Sequence, residues 1–182
     1  MKLIVVRHSQ TIEAKEWHEK VEYRPLSKTG IVRSEILGKI LEKKYKHSFE
    51  YIFSSEYKRS IQTAEILRRY LKPFRFIITE TLNPEKDPKE FLDFLLKTPD
   101  TKRYILAVGH HPFLERLISI ITGKSMEKFY FKKPSMCEIE FEEIGKGEMI
   151  YFHNFDDIAD GIKIPIKKSE PHHEEIEEIE LL

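Results

Sequence analysis

The chain has 182 residues and a mass of 21.7 kDa, one domain's worth and enough to bury a core without disulfide or metal staples. Its 31 Lys+Arg balance 31 Asp+Glu, and a formal charge of zero with a pI near 7.1 argues against a nucleic-acid binder dominated by phosphate contacts. A single cysteine, Cys137, excludes a disulfide framework and a Cys-rich metal site.

Residues 2–6 are an apolar run that reads as a buried central strand. Residues 9–26 are polar and irregular, and loops of that length are often functional. Ser27 is a candidate N-cap for a helix over about 28–46, whose stripe is Ile36, Leu37, Ile40, Leu41 and Tyr45. Residues 51–54 predict a second strand. A helix over about 57–71 follows, with Ile61, Ala64, Leu67 and Leu71 on one face and Pro73 as its stop. Residues 74–78 predict a third strand. Asp87-Pro88-Lys89-Glu90 forms a capping box that opens a helix to about Lys97. Residues 104–108 predict another buried strand, and Pro112 opens a helix carrying Phe113, Leu114, Leu117, Ile118 and Ile121. Residues 135–143 and 148–153 predict a hairpin turning at Gly145-Lys146-Gly147. Alternating strands and helices predict an α/β sheet with helices on its faces.

The domain is expected to span residues 1–162. Residues 163–182 form an acidic tail, in which residues 170–182 hold six Glu and no Lys or Arg. No segment approaches the roughly 18 apolar residues of a membrane span, and the first apolar run is too short for a signal peptide. The expected location is the cytoplasm, with no membrane partner. Charged residues reach 34%, a composition that leans toward a heat-adapted source. There is no GxGxxG or GxxxxGK, so no nucleotide-binding loop is expected.

Chemistry-bearing residues recur immediately after predicted strands. Arg7-His8 follows the first, Ser54-Ser55 the second with Arg59 one helical turn later, and Gly109-His110-His111 a later one. Ligands of open α/β sheets bind beyond the carboxyl ends of strands. Two helices, near 57 and 112, would begin there and aim N–H groups at the same place, which suits an anion. Arginine forks suit phosphate, and a histidine among them is a nucleophile at neutral pH. Taken singly each piece is weak; three segments agreeing on position and charge type are not. His18, His47 and His153 lack ligand spacing, and His172-His173 sits in the tail, so no metal and no cofactor are expected. His111 before Pro112 reads as an N-cap or rim residue. Asp156-Asp157 and Asp160-Gly161 lack calcium-loop spacing and read as turn residues. Trp17, Tyr23 and Phe129-Tyr130-Phe131 suit the edge packing of a small sheet better than a partner-docking rim.

The motifs together resemble the histidine phosphatase superfamily, which includes the phosphoglycerate mutases. Arg7-His8 is similar to its first motif, the run from Ser54 through Arg59 to Gln62-Thr63-Ala64 to its second, and Gly109-His110 to its second histidine. Arg24-Pro25-Leu26-Ser27, with Gly30 behind, resembles a segment of the SixA-type branch of small phosphohistidine phosphatases. The resemblance covers about residues 1–155. Ser9, Glu56 and Ser60 stand where many members carry Gly, Pro and Ala.

The resemblance implies a three-layer sandwich with a mostly parallel central sheet, phosphoglycerate-mutase-like. It implies a metal-independent phosphatase in which His8 attacks phosphorus, with Arg7, Arg59 and His110 holding the oxygens. Arg24, Ser9 and Ser55 are further candidate phosphate ligands. Relatives that cleave esters draw a general acid from the loop after the third strand, where Glu80 and Glu85 are the candidates; Asp87 and Glu90 are already used by the capping box. The absence of a clean acid motif points to a P–N substrate, phosphohistidine on a protein such as a histidine-containing phosphotransfer domain, with inorganic phosphate as product. The alternatives are a small-molecule phosphomonoesterase or mutase of the same superfamily, and a non-catalytic phosphate-binding module.

Overall fold

The computed structural model describes residues 1–46, 48–99, 103–125 and 130–159. His47, Phe129, Asp160-Gly161 and the acidic tail with His172-His173 lie outside them, as does the expected boundary at 162. The described elements are β1 (Lys2–Arg7), α1 (Lys28–Tyr45), β2 (Phe49–Ser54), α2 (Lys58–Leu71), β3 (Arg75–Ile78), α3 (Pro88–Leu96), β4 (Tyr104–Gly109), α4 (Phe113–Thr122), β5 (Ser135–Glu140), β6 (Glu148–Asn154) and α5 (Phe155–Ala159).

The strands form one sheet in the order β3-β2-β4-β1-β5-β6. β1 through β4 are mutually parallel, and β5 runs antiparallel between β1 and β6. Strand side chains alternate between the faces, so each strand feeds two cores. Leu3, Val5, Phe53, Ile105 and Ala107 pack on one side with Phe91 and Leu95 of α3 and Phe113 and Leu117 of α4. Ile4, Val6, Ile52, Leu106 and Val108 pack on the other with Leu37 and Leu41 of α1 and Ala64 and Leu67 of α2. The chain is therefore a three-layer α/β sandwich with a mostly parallel sheet, as expected from the sequence.

Local signals acted where they were read. The Ser27 side chain accepts the Gly30 N–H, and both bonds of the Asp87–Glu90 capping box are made. Asp156 and Asp157 correct the turn reading: they lie in the first turn of α5, and Asp157 accepts the Asn154 N–H. Phe131 is fully buried and forms no rim, whereas Tyr23 and Tyr130 are exposed. Trp17 is half-buried, its indole N–H bonded to the Lys20 carbonyl.

The long loop 9–26 is pinned at its base. Ser27 N–H bonds the Gln10 carbonyl, Thr11 and Leu26 form an antiparallel bridge, and the Leu26 N–H bonds Gln62 of α2. Gly30 lets α1 start against this base, because a Cβ there would fall 2.0 Å from the Gln10 carbonyl oxygen. That obstacle is backbone already held by Ser27, so it cannot step aside cheaply. Gly30→Ala should destabilise by about 1–3 kcal/mol, the usual range for overpacking. A thermal melt lowered by several degrees would bear this out, and an unchanged one would show that the base of the loop is slack.

Candidate active site

Three neighbouring strands end level. Arg7 pairs with Gly109 across β1 and β4, and Ser54 with Val108 across β2 and β4. The ladders continue one step further, with His8 N–H bonded to the Gly109 carbonyl and Ser55 N–H to the Val108 carbonyl. His8, Ser55 and His110 thus leave the sheet side by side at its carboxyl edge. Helices α2 and α4 start beside them, and neither has a side-chain cap on its first turn.

The His8 ring is buried. Its Nδ1 lies 2.7 Å from the Ser9 carbonyl oxygen, which can only accept, so the ring proton is on Nδ1. Nε2 is left with its lone pair, which accepts from Nε of Arg59 at 3.2 Å. Burial and then the neighbouring His110 and cations hold His8 well below the usual histidine pKa. His110 is buried 5.1 Å away, centroid to centroid. Its Nε2 meets the Ser55 hydroxyl at 2.6 Å and the Ser60 hydroxyl at 3.2 Å, and its Nδ1 lies 3.4 Å from Nη2 of Arg59. Burial, then Arg59, Arg7 and Lys133, press its pKa down to about 3. Both rings are therefore neutral at physiological pH, the form in which imidazole is a nucleophile or a hydrogen-bond donor.

Cations crowd around them. Arg59, held by burial and the nearby Arg24 at about 10, also donates Nη1 to the Val21 carbonyl at 2.9 Å and lies 4.5 Å from the Tyr57 ring centroid. Arg7 donates Nη1 to the Phe131 carbonyl. The Nε atoms of Arg7 and Arg24 are buried and have no hydrogen-bond partner among the described residues. Orphaned buried donors are rare in folded proteins and call for an explanation. Lys133, just before β5, joins the cluster; burial, then Arg7, Arg24 and Arg59, lower its pKa to about 8. Mutual repulsion on this scale suits a site made for a dianion.

Of the predicted residues, Arg7, His8, Arg24, Arg59 and His110 converge. Ser9 and Ser55 have no exposed surface and stand behind the histidines. The Ser9 hydroxyl accepts from Ser34, its N–H bonds Thr63, and its carbonyl fixes His8, while Ser55 backs His110. The expected phosphate contact from either serine is thus replaced by support of a ring. Glu80 pairs with Lys86 at 3.3 Å and Glu85 accepts from the Tyr57 hydroxyl at 3.1 Å; neither bonds a member of the histidine pair. His111 caps no helix: its ring meets Glu115 instead. Sequence reasoning missed Lys133 and Tyr57, whose ring lies edge-on to His110 at 5.0 Å. The antiparallel course of β5, with Ser135 opposite Arg7, is what delivers Lys133. Among the described residues no three His, Cys, Asp or Glu side chains gather as metal ligands would, and no helix is long and apolar enough to cross a membrane.

Neutral paired histidines among converging arginines at the carboxyl edge of such a sheet suit the binding of a phosphate-like anion. The family model of the histidine phosphatase superfamily, branch 1, matches residues 3–84. Among solved structures, the chain is similar to the protein histidine phosphatase SixA complexed with tungstate, with a TM-score of 0.76 and 20% identity over 87% of this chain and 99% of that one. It is also similar to a protein designated phosphohistidine phosphatase SixA from Agrobacterium tumefaciens, with a TM-score of 0.71 and 17% identity over 84% and 96% of the two chains. A phosphoserine phosphatase from Entamoeba histolytica shares the fold at a TM-score of 0.65 and 15% identity, over 85% and 97%. A sequence search of curated proteins finds no significant match.

The depressed histidine pKa values carry a sign. Above about 6.5 both folded and unfolded imidazoles are neutral; between about 6.5 and about 3 the unfolded chain takes protons that folded His110 refuses. Stability should therefore fall as pH drops through that window. Nitrogen-15 NMR at pH 5 should find His8 and His110 neutral, with His8 protonated on Nδ1. Imidazolium signals there would refute the buried geometry.

Proposed function

We propose that this protein is a phosphatase acting through a covalent phosphohistidine on His8, with phosphohistidine of a protein as its substrate. Residues 1–162 would be the catalytic domain, residues 163–182 an acidic appendage, and the cytoplasm the working compartment. The observation that carries the reading is the His8 ring: Nδ1–H fixed on the Ser9 carbonyl, Nε2 presented as a lone pair, and burial keeping it neutral. That is the form a nucleophilic imidazole needs.

Arg59 now donates to that lone pair, so it must slide onto a phosphate oxygen before attack. The substrate then offers Arg59 a new acceptor, and gives Arg7 and Arg24 the one that their orphaned Nε–H groups lack. His8 Nε2 bonds to phosphorus, the bond to the leaving group breaks, and its electron pair leaves with that group. His110 can assist without moving. Nη2 of Arg59 faces Nδ1 and can only donate, so once Arg59 has moved onto the phosphate and Ser55 or Ser60 donates to Nε2, the His110 proton resides on Nδ1 and is available to an oxygen. Water then attacks phospho-His8 and releases phosphate. The donors stabilise charge spread over the phosphoryl oxygens, which is most of what a protein contributes to phosphoryl transfer.

The choice of a P–N substrate rests on the loop after β3. Glu80 and Glu85, its two candidate acids, are engaged by Lys86 and Tyr57. An alkoxide leaving group needs a positioned proton, whereas an imidazole leaves as a far weaker base. Similarity to SixA, whose described activity is on protein histidine phosphate, supports the same choice.

Phosphate release should be followed without added metal from a phosphohistidine protein, an aryl phosphate and a sugar phosphate. Cleavage fastest on the P–N substrate, slower on the aryl phosphate and slowest on the sugar phosphate, abolished in His8→Ala together with the acid-labile phosphoenzyme, is the expected result. Fast sugar phosphate cleavage would transfer the reading to a small-molecule phosphatase, and silence on all three would leave a phosphate-binding module. Arg59→Ala should lower the rate about 10²–10³-fold, as removal of one oxyanion donor does. Lys133→Met should weaken vanadate inhibition roughly 10- to 100-fold, the worth of one charge-assisted hydrogen bond. Unchanged inhibition would put Lys133 outside the phosphate site.

A further inference from the structure

Beside the phosphate-side cluster lies an open groove. Glu85, Lys86, Pro88, His111, Glu115 and Tyr130 are among its lining residues. Its two ends are tied to the phosphate-side groups. At one, Glu85 holds the hydroxyl of Tyr57, whose ring lies against His110 and Arg59. At the other, Tyr130 bonds the Arg7 side chain, and its ring centroid is 6.1 Å from that of His111.

His111 and Glu115 are an unusual pair for a groove wall. They are one helical turn apart, and Nδ1 of His111 meets Oε1 of Glu115 at 2.5 Å. The carboxylate is nearly buried, while the His111 side chain is 42% exposed to the groove. The other oxygen, Oε2, is buried with no hydrogen-bond partner among the described residues. Glu115 also reaches Arg7 electrostatically. A buried carboxylate bonded to one nitrogen of an imidazole fixes the ring's orientation and sets Nδ1 as the protonated position. In the imidazolium form Nε2 carries the second proton, the one that can be passed on.

We propose that His111, oriented by Glu115, is the proton donor to the leaving group. This rests on the phosphatase reading above and supplies the acid that Glu80 and Glu85 do not. In the first step the bond from phosphorus to the leaving atom breaks, and that atom takes its electron pair and the proton from Nε2 of His111. In the second step His111, now neutral, takes a proton from the water that attacks phospho-His8, so the cycle closes with no other acid or base. The charged groups lining the groove with His111 are Glu115 and Arg116 from α4 and Glu85, Lys86 and Asp87 from the loop before α3, with the Tyr130 ring beside it and Arg7 of β1 interacting with Glu115. His111 is the catalytic residue of this pair and Glu115 its positioning residue.

The test is a leaving-group series on the full-length protein. His111→Gln and Glu115→Gln are compared with wild type on a nitro-substituted aryl phosphate, on plain phenyl phosphate and on a phosphoramidate. Measured as the rate of phosphoenzyme formation, His111→Gln should lose roughly 10²–10⁴-fold on phenyl phosphate, as a lost general acid does, and should stay within about threefold of wild type on the activated ester, whose leaving group needs no proton. Glu115→Gln should show the same dependence at smaller amplitude. Equal losses in that rate on all three substrates, or none, would overturn the assignment. A burst of phosphoenzyme on the activated ester, retained in His111→Gln and absent in His8→Ala, separates the two claims. Its absence from wild type would refute the phosphatase reading and this proposal with it.

Discussion

Everything in this site depends on keeping two histidines neutral among four cations. Arg7, Arg24, Arg59 and Lys133 each depress or compete with the charge of the others. A third ionised group at His8 or His110 would add repulsion and remove the lone pair on which nucleophilic attack depends. The fold prevents this by burial and by backbone. The rings stand at the level ends of β1 and β4, where the ladder itself fixes the His8 N–H, and the Ser9 carbonyl dictates which nitrogen of His8 is protonated. The serines in the second rank have the complementary duty. Ser9 is locked by Ser34 and Thr63, and Ser55 and Ser60 offer hydroxyls that donate or accept according to the tautomer His110 needs.

Much of this is legible in the chain because it is local. A run of apolar residues followed at once by Arg7-His8 fixes both a strand and where its end points. Ser27 and the Asp87–Glu90 box announce helix starts through hydrogen bonds that span three residues. What is not legible depends on strand direction and on depth. The strand-end rule looks to carboxyl ends, so it misses Lys133, which precedes its strand. Only the antiparallel course of β5 turns that amino end toward Arg7. Depth misleads in the other direction for Ser9 and Ser55. A hydroxyl next to a site residue suggests a ligand contact, yet both are fully buried and spend their bonds on protein groups. Phe131 is similar: the aromatic run reads as edge packing of the sheet, but this member drops into the core while Tyr130 stays outside.

The carboxylates divide by partner rather than by position. Glu80 and Glu85 occupy the loop where an acid is expected, but both are satisfied by groups outside the histidine pair, Lys86 and Tyr57. Glu115, in the first turn of a helix and unremarkable in sequence, keeps one oxygen on His111 and the other buried without a partner. A satisfied carboxylate at the surface has little to offer a reaction, whereas one held nearly dry beside an imidazole controls that ring. The functional asymmetry between the two sides of the cluster follows from this. Arginines with unpaired buried Nε–H groups gather on one side, and a histidine–glutamate pair faces the groove on the other.

Arg59 connects these parts. One guanidinium touches the His8 lone pair, the Val21 carbonyl and the edge of His110, with its plane near the Tyr57 ring. Each of those contacts is modest, and each holds the fork in a different direction. In the proposed reaction the contact with His8 must break before attack, while the contact with Val21 ties the same residue to the loop that carries Arg24. A phosphate that draws Arg59 off His8 would free the nucleophile and engage the neighbouring arginine in one movement. Nucleophile release is then coupled to arrival of the anion, because the same guanidinium cannot satisfy both acceptors with the same Nε–H.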